Sequence, residues 1–219
     1  MKIDLHLHTP LSKKNGDVII WTSTLATLKT LIANKIRIAA FTDHNAFDLN
    51  LYLEAKKLLQ TSNMILLPGV ELNVVRKNGI IANLLILFPE DLTIEQLQIL
   101  NTKINKLVKS GIPLSKANSF LSEFETIRIP HIGKEDYFAS EDLQDLNYDA
   151  FEVTNEKHRN YLDVLKNGYT SSIVAFSDTH KWNNYPQINN LITVIDMEYP
   201  SFKNLKQALK ENKNYTKKG

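Results

Sequence analysis

The stretch KIDLHLHTP, residues 2–10, decides how the rest of the chain is interpreted. Side chains alternate between the two faces of a β-strand. Asp4, His6 and His8 therefore share one face, and three aliphatic side chains share the other. The apolar face can pack in a core and the polar face can hold a metal ion, provided that the rest of the chain supplies partners for both.

The composition is that of a folded protein with one sizeable core. The chain has 219 residues, of which 43% are hydrophobic and 23% charged, and we expect one domain over 1–219. A formal net charge of +2 is too small to indicate nucleic-acid binding by itself. Without cysteine, a transition metal must be bound by nitrogen and oxygen ligands. With neither a signal-like start nor a long apolar run, we expect a cytoplasmic protein without a membrane partner.

Short apolar runs alternate with segments of helical periodicity, which favours β-α units around a mainly parallel sheet. The predicted strands are 2–8, 37–42, 64–72, 80–88, 126–131, 150–154, 171–177 and 190–196. The predicted helices lie near 22–34, 47–60, 93–109, 115–123, 140–146, 158–167 and 201–211. Thr93 is the expected N-cap of the third helix, and Gly111 with Pro113 is expected to end it. The polar tail KENKNYTKKG, 210–219, is expected to fray.

Candidate metal ligands lie at or just past the ends of these strands. They are His6, His8, Asp43, His44, Glu71, His131, Asp178 and His180. In α/β barrels the carboxyl ends of the strands meet at one rim, so these side chains are expected to converge. One such histidine alone is more typical of a structural role, and Asp43 alone of a cap, but burying the whole set unpaired would cost several kcal/mol per charge. His158, in the polar stretch NEKHRN, is expected at a solvated helix start.

Six motifs carry a resemblance to a known family. They are DLHLHT at 4–9, FTDHN at 41–45, PGVEL at 68–72, PHIG at 130–133, FEVTN at 151–155 and SDTH at 177–180. In order and spacing they resemble the polymerase-and-histidinol-phosphatase (PHP) family of metal-dependent phosphoesterases. The resemblance spans 2–180, leaves 190–211 as a closing strand and helix, and implies a distorted seven-stranded α/β barrel with metal ions at the carboxyl rim.

The resemblance also implies a set of two or three divalent ions, of Zn, Mn, Fe or Mg. The first would be held by His6, His8, Glu71 and Asp178, the second by Glu71 and His131, and the third would face His44 and His180. Two positions depart from the family. Lys13 stands where an acidic residue or histidine usually completes the third site, with Asn15 or Asp17 as candidate substitutes. Asn83 replaces a histidine of the second site, and a carboxamide oxygen is a weaker ligand than imidazole.

The implied function is hydrolysis of a phosphate ester of a nucleotide, a nucleic acid or a small phosphorylated metabolite. The expected nucleophile is a metal-bound hydroxide, with Glu71 as bridging ligand and Asp178 or His180 managing protons. Four basic residues in rim loops are predicted to bind phosphate, although any one alone is more typical of solvated surface: Arg76, Lys134, Arg159 and Lys181. Trp21, Tyr137 and Trp182 are candidates for stacking a base or for packing the barrel mouth.

Two other classes remain open. An amidohydrolase-type barrel also begins with His-x-His and ends with Asp, although TDH, PGVE and SDTH together favour the phosphoesterase. A degenerate PHP domain would instead bind or regulate an ATPase or polymerase, as Lys13 and Asn83 suggest. The stretch YPSFKNLKQAL, 199–209, resembles the close of the PHP segment in front of larger ATPases and makes an ATPase partner conceivable, although a final helix that seals the barrel has the same pattern.

Overall fold

The computed structural model describes residues 1–186 and 191–218, and the side chains of all of these except 15, 191, 217 and 218. The strands are β1 Lys2–Leu7, β2 Ile36–Phe41, β3 Ile65–Val75, β4 Ile81–Leu87, β5 Ile112–Pro113, β6 Ile127–Gly133, β7 Ala150–Val153, β8 Ser172–Val174, β9 Leu191–Ile195 and β10 Asn214–Lys218. The helices are α1 Thr24–Ala33, α2 Leu49–Leu58, α3 Ile94–Asn105, α4 Leu114–Ala117, α5 Ser140–Leu143, α6 Arg159–Lys166 and α7 Phe202–Lys210. Short 3-10 helices cover Pro10–Asn15 and Trp182–Asn184. Residue 190, where the last predicted strand begins, lies outside the described residues.

The strands form one sheet in the order β10-β9-β1-β2-β3-β4-β6-β7-β8, with β5 beside β3. β1, β2 and β3 are parallel, as are β6, β7 and β8. β4 is antiparallel to both β3 and β6, so the two parallel groups run in the same direction. The predicted α/β class is therefore confirmed. The path holds nine strands rather than seven, because the antiparallel β9 and β10 extend it beyond β1.

Side chains bring the two ends of this path together. The hydroxyl of Thr193 in β9 accepts a hydrogen bond from Ala175 N at 2.9 Å and donates to Ala175 O at 2.8 Å, just past β8. The amide of Asn214 in β10 donates to Ile173 O in β8 at 2.5 Å. The sheet is thus a nearly closed, barrel-like structure.

Alternation along the strands separates an apolar layer from a polar one. Leu67, Leu85 and Ile129 belong to one buried cluster with the apolar face of α7. Glu71 and His131 lie four and two residues after Leu67 and Ile129, and Asn83 lies two residues before Leu85 in the antiparallel β4, so each shares a face with its apolar neighbour and lies toward the same end of the barrel. The polar residues consequently gather at one end of the barrel, above the apolar core.

The helix that ends the chain seals the barrel. Phe202, Leu205 and Leu209 of α7 are buried in the same apolar cluster as the strands. The amphipathic pattern of 199–209 is therefore used within this chain. Among the described residues, no helix combines the length and apolar character needed to span a membrane.

Several predicted boundaries were wrong. α3 begins with the expected Thr93 cap but ends at Asn105, well before Gly111. The helices predicted at 115–123 and 140–146 are single turns, α4 and α5. The tail does not simply fray, because 214–218 pair with β9 in antiparallel register. Pairing there satisfies backbone groups that β9 would otherwise leave at an open edge.

Candidate metal centre

Seven of the eight predicted ligands converge at the carboxyl rim, and the eighth, Asp43, instead accepts hydrogen bonds from Thr9 and Ser12. His6, at the end of β1, and His8, just after it, are fully buried. Glu71 of β3 and His131 of β6 are exposed by only 1% and 2%. Asp178 lies in the loop after β8. These residues come from four strands, and only the closed sheet brings them together.

The centre of the cluster is the Glu71 carboxylate. Its Oε2 atom lies 3.2 Å from His6 Nε2, 3.4 Å from His8 Nε2 and 3.0 Å from His44 Nδ1. Asp178 Oδ1 lies 3.0 Å from His8 Nε2 and 3.4 Å from His6 Nε2. One small volume is therefore surrounded by carboxylate oxygens and imidazole nitrogens.

The donor set fits a divalent cation. Among the described residues, His6 Nε2, His131 Nε2 and Glu71 Oε2 are buried and make no hydrogen bond. Buried polar atoms are costly to leave unpaired, and nitrogen and carboxylate oxygen are ordinary ligands of Zn, Mn and Fe. His6 Nε2 and Glu71 Oε2, which lie 3.2 Å apart, are the atoms that we expect closest to a bound metal ion.

Ligand atoms fall into three groups, each with its atoms within 4.8 Å of one another. The groups are His6 with His8 and Asp178; His6 with Glu71 and His131; and His8 with Asp17, His44 and His180. Asp17 fills the position that Lys13 left in doubt, since its Oδ2 lies 3.6 Å from His44 Nε2 and 3.9 Å from His180 Nε2. The Lys13 side chain is exposed, and the side chain of residue 15 lies outside the described part.

Hydrogen bonds to Nδ1 orient the rings. His6 Nδ1 is bound by Glu152, His8 Nδ1 by Ser12 Oγ, His131 Nδ1 by the Glu135 carbonyl and His180 Nδ1 by the Asp178 carbonyl, at 3.0 to 3.3 Å. A ring that donates through Nδ1 leaves the lone pair of Nε2 for a metal. These partners therefore prepare four imidazoles as ligands.

Glu152 is a site residue that the sequence analysis missed. It is completely buried in β7, and its Oε2 lies 3.1 Å from His6 Nδ1 and 3.2 Å from His131 Nε2. The signal was present, because AFEV is an apolar strand with a single carboxylate. Only the neighbouring strands show what this carboxylate contacts.

Of the four predicted phosphate ligands, Lys134 is the one that lines the cleft at the cluster. Its Nζ lies 3.0 Å from Asp178 Oδ2 and 3.3 Å from Glu152 Oε1. Arg76 is buried elsewhere, where its guanidinium binds Asp142 at 2.5 Å and Glu141 at 3.0 Å. Arg159 and Lys181 are exposed and are not among the residues that line the cleft.

The aromatic candidates have packing partners. Trp182 is buried and donates from Nε1 to the His8 carbonyl at 2.9 Å. Trp21 lies edge-on to Trp182, with ring centroids 5.4 Å apart. Tyr137 packs edge-on to His158 at 5.3 Å. For both tryptophans these contacts favour packing of the barrel mouth over stacking of a base.

The open space beside the cluster is a cleft of about 560 Å³. It is lined by His44, Glu71, Asn83, His131, Gly133, Lys134, Glu135, Asp136, Thr154, Asn155, His158, Phe176, Asp178 and His180. His158, expected at a solvated helix start, thus lies in the cleft wall at the N-cap of α6. Asn83 reaches the cleft because β4 enters the rim with its amino end.

The electrostatics of the cluster favour cation binding. Burial alone would raise the pKa of Glu71 and of Asp178, but the charge of His6 more than offsets this and holds both pKa values well below the usual range. Burial lowers the pKa of His8 to about 4. The pKa of His44 is raised to about 9, because the Glu71 charge outweighs the opposing effect of burial. Glu71 and Asp178 are thus ionised, and their charge is balanced by protonated His6 and His44, whose protons a bound metal ion would displace.

No protein-family model and no curated protein sequence matches the chain. Solved structures do. PsfC from Pseudomonas syringae superposes with a TM-score of 0.62 at 14% identity, over 100% of this chain and 91% of that one. A two-domain protein containing a predicted PHP-like metal-dependent phosphoesterase, from Bacteroides vulgatus, has a TM-score of 0.62 at 10% identity, over 99% of this chain and 64% of that one. The fold is shared with PHP-like phosphoesterases.

The likeness extends to a second class of hydrolase. An amidohydrolase from Chromobacterium violaceum, with bound sulfate and no metal, has a TM-score of 0.55 at 12% identity, over 83% of this chain and 88% of that one. At these identities the comparisons show the fold alone.

Proposed function

We propose that the chain is a metal-dependent hydrolase that cleaves phosphate esters at the carboxyl rim of the barrel. The observation that carries the proposal is the pair of buried atoms without hydrogen bonds, His6 Nε2 and Glu71 Oε2, which lie 3.2 Å apart and face the same small volume. A protein that used this rim only for packing would gain by pairing or removing them.

Divalent ions bound there would acidify a water molecule and neutralise charge that grows on phosphoryl oxygens. The chain's own residues have complementary tasks. Glu71 presents one oxygen to three imidazoles and holds the centre of the site together. Asp178 and His180 stand side by side at the cleft, where either can accept a proton from the attacking water.

The cleft favours a small substrate over a nucleic-acid strand. About 560 Å³ suits a nucleotide-sized molecule. Its described lining includes one lysine, Lys134, and no arginine, and it includes two exposed acids, Glu135 and Asp136. A strand-binding groove needs a track of basic residues along the phosphate backbone. We therefore propose a small phosphate ester as the substrate class.

The amidohydrolase alternative has a specific observation in its favour, the structural likeness to the Chromobacterium protein. It predicts turnover of an amide without phosphate release. The binding-domain alternative, with an ATPase or polymerase partner, predicts low metal occupancy and no functional loss when His6 or His8 is replaced by alanine.

Phosphate release from a panel of phosphomonoesters tests the proposal. Metal-free protein should be inactive, and adding Mn²⁺ or Zn²⁺ should restore turnover. Asp178→Asn should lower kcat by at least about a hundredfold, because it removes a charged ligand and a proton acceptor from the site. Asp145→Asn, at an exposed carboxylate paired with Lys77, is the matched control and should leave kcat unchanged.

A mononucleotide should be turned over faster than an oligonucleotide of the same base. Full hydrolysis and full metal content in Asp178→Asn would contradict the assignment of Asp178. Turnover of amides but not of phosphate esters would favour the amidohydrolase class instead.

A further inference from the structure

The groups of ligand atoms in the cluster are not independent. His6 belongs both to the group with His8 and Asp178 and to the group with Glu71 and His131. Its Nε2 atom is the nitrogen that faces both groups, since it lies 3.4 Å from Asp178 Oδ1 and 3.2 Å from Glu71 Oε2. One nitrogen lone pair binds one ion. If the first group is occupied, the second keeps only Glu71 and His131 as its own donors.

Asn83 already forms a hydrogen bond with the Glu71 oxygen that faces this second position. This oxygen is Oε1, which lies 3.4 Å from His131 Nε2. Asn83 Nδ2 donates to Glu71 Oε1 at 2.7 Å, within the buried part of the rim. A carboxylate only accepts hydrogen bonds, so the amide presents its N–H group and turns its oxygen away. The remaining oxygen, Oε2, faces His6, His8 and His44 and makes no hydrogen bond.

Lys134 supplies positive charge between the first position and the second. Its Nζ lies 3.0 Å from Asp178 Oδ2, 3.3 Å from Glu152 Oε1 and 3.5 Å from His6 Nδ1. Two carboxylates form described ion pairs with His131. One is Glu71, and the other is Glu152, whose Oε2 lies 3.2 Å from His131 Nε2. The charge of Glu152 is thus already compensated by the Lys134 ammonium, which would also repel a divalent ion placed between Glu71 and His131. At the first position Lys134 contacts Asp178 through Oδ2, while Oδ1 is the oxygen that faces His6 and His8.

We propose that the chain binds two divalent ions and that Asn83 and Lys134 close the position between Glu71 and His131. One ion is held at His6, His8 and Asp178, with Glu71 Oε2 beside it, and the other at Asp17, His44 and His180. Lys134 is a built-in cation of the site and a determinant of its metal load. This inference rests on the proposed function only in that the site binds metal, and it does not depend on the substrate.

Metal counting on the full chain tests the inference without any activity assay. Metal-free protein is titrated with Mn²⁺ in a calorimeter, and bound Mn is measured by elemental mass spectrometry after gel filtration. We expect two equivalents. Asp17→Ala and His180→Ala should each retain one, whereas His131→Ala should retain two. One or three equivalents in the unaltered chain, or a loss of an equivalent in His131→Ala, would overturn the inference.

The double variant Asn83→His/Lys134→Gln tests the cause. It restores an imidazole and removes the charge while keeping a hydrogen-bond donor near Glu152 and Asp178, and we expect it to bind three equivalents. Lys77→Gln, which removes a lysine from an exposed ion pair with Asp145, is the matched control and should bind two. Two equivalents in a folded double variant would overturn the inference. If the double variant fails to fold by circular dichroism, the comparison of His131→Ala with His180→Ala decides.

A failure of phosphoesterase activity would leave these counts unaffected. The inference and the proposed function can therefore fail separately.

Discussion

Asp178 shows at the residue scale how the site is held. Its backbone φ of 51° lies in the left-handed region, which asparagine and aspartate tolerate better than most residues. The preceding residue is tied down, since Ser177 N donates to Asp4 Oδ1 at 3.2 Å and Tyr185 Oη donates to Asp4 Oδ2 at 2.8 Å. Burial raises the pKa of Asp4 to about 6, although these hydrogen bonds oppose the shift. The loop is thus clamped so that Asp178 faces both His8 and Lys134.

Glu152→Gln should weaken metal binding without changing the size of the side chain. The carboxylate orients His6 through Nδ1 and increases its basicity, and loss of such a partner costs about 10- to 100-fold in metal affinity. Competition with a chelating dye measures the affinity for the ion held at His6, His8 and Asp178. Glu141→Gln, at an exposed glutamate that binds Arg76, is the control. Equal affinity in Glu152→Gln and the unaltered chain would show that Glu152 has no such role.

Asp149 gives a pH-dependent prediction outside the site. Burial raises the pKa of Asp149, and the hydrogen bond from Arg128 N offsets this only in part. The folded state therefore holds the proton more tightly than the unfolded state, in which the pKa is about 3.9. The contribution of Asp149 to stability is fully present at low pH and is lost as the pH rises from about 4 through the raised folded value.

Asp149→Asn keeps an acceptor for Arg128 N and removes this titration. Relative to the unaltered chain, the variant should gain stability between pH 4 and pH 7, as measured by the midpoints of urea unfolding. The urea midpoint of Asp149→Asn should therefore rise relative to that of the unaltered chain as the pH increases. A difference that stays constant, or that shrinks toward pH 7, would contradict the prediction.

At the scale of elements, the antiparallel direction of β4 determines which of its residues reaches the rim. Asn83 lies near the amino end of β4 and pairs with Asn73 of β3. In a strand parallel to its neighbours, the same residue would lie at the opposite end of the barrel. The β3–β4 hairpin therefore brings Asn83 to Glu71.

The turn after α3 gives a prediction at the same scale. Gly111 has a φ of 76°, and a Cβ there would lie 1.8 Å from the Asn73 carbonyl oxygen. Gly79 has a φ of 83° but nothing within 4 Å of such a Cβ. Gly79→Ala should cost only the left-handed backbone term of about 1 kcal/mol, whereas Gly111→Ala should cost roughly 3 kcal/mol or more, because the clash adds to it. Chemical denaturation of both variants measures the difference, and equal losses would show that the close approach has no energetic weight.

At the scale of the whole molecule, side-chain hydrogen bonds join the two ends of the sheet. Thr193 carries both hydrogen bonds to Ala175, which is fully buried three residues before Asp178. Ser172 Oγ donates to Asn212 Oδ1 at 2.6 Å and connects β8 to the turn before β10. This seam therefore joins the end of the chain to the strand that leads into the metal centre.

Thr193→Val should open this seam. The replacement keeps the shape of the side chain but leaves the N–H and C=O groups of Ala175 unpaired, which costs about 1–3 kcal/mol for a buried polar group. Hydrogen exchange should become faster at Ala175 and in the loop that follows, and the urea midpoint should fall. Thr30→Val, which removes an intrahelical bond to Ala26 O in α1, is the control and should leave exchange at Ala175 unchanged. Unaltered exchange there in Thr193→Val would contradict the proposed role of the seam.

Much of the fold could be predicted from local pattern. The positions of the major strands and helices followed from short apolar runs and caps, because alternation and capping are properties of a few consecutive residues. The predicted lengths of α4 and α5 were too long, because a short amphipathic stretch stays helical only where tertiary packing supports it. The tail was misjudged because β10 depends on β9, a pairing that no local pattern reveals.

The sequence by itself determined the class of fold and the kinds of atom at the rim, since the periodicity and the placement of histidines and carboxylates at strand ends are written in the chain. Only the tertiary structure decided which oxygen meets which nitrogen. Glu152 lies beside His6, and Arg76 binds Asp142 away from the cleft. Asp17, rather than Lys13, lies beside His44. The physical reason is that charge compensation acts over a few ångströms between residues that are far apart in the chain, and the closed sheet alone sets those distances.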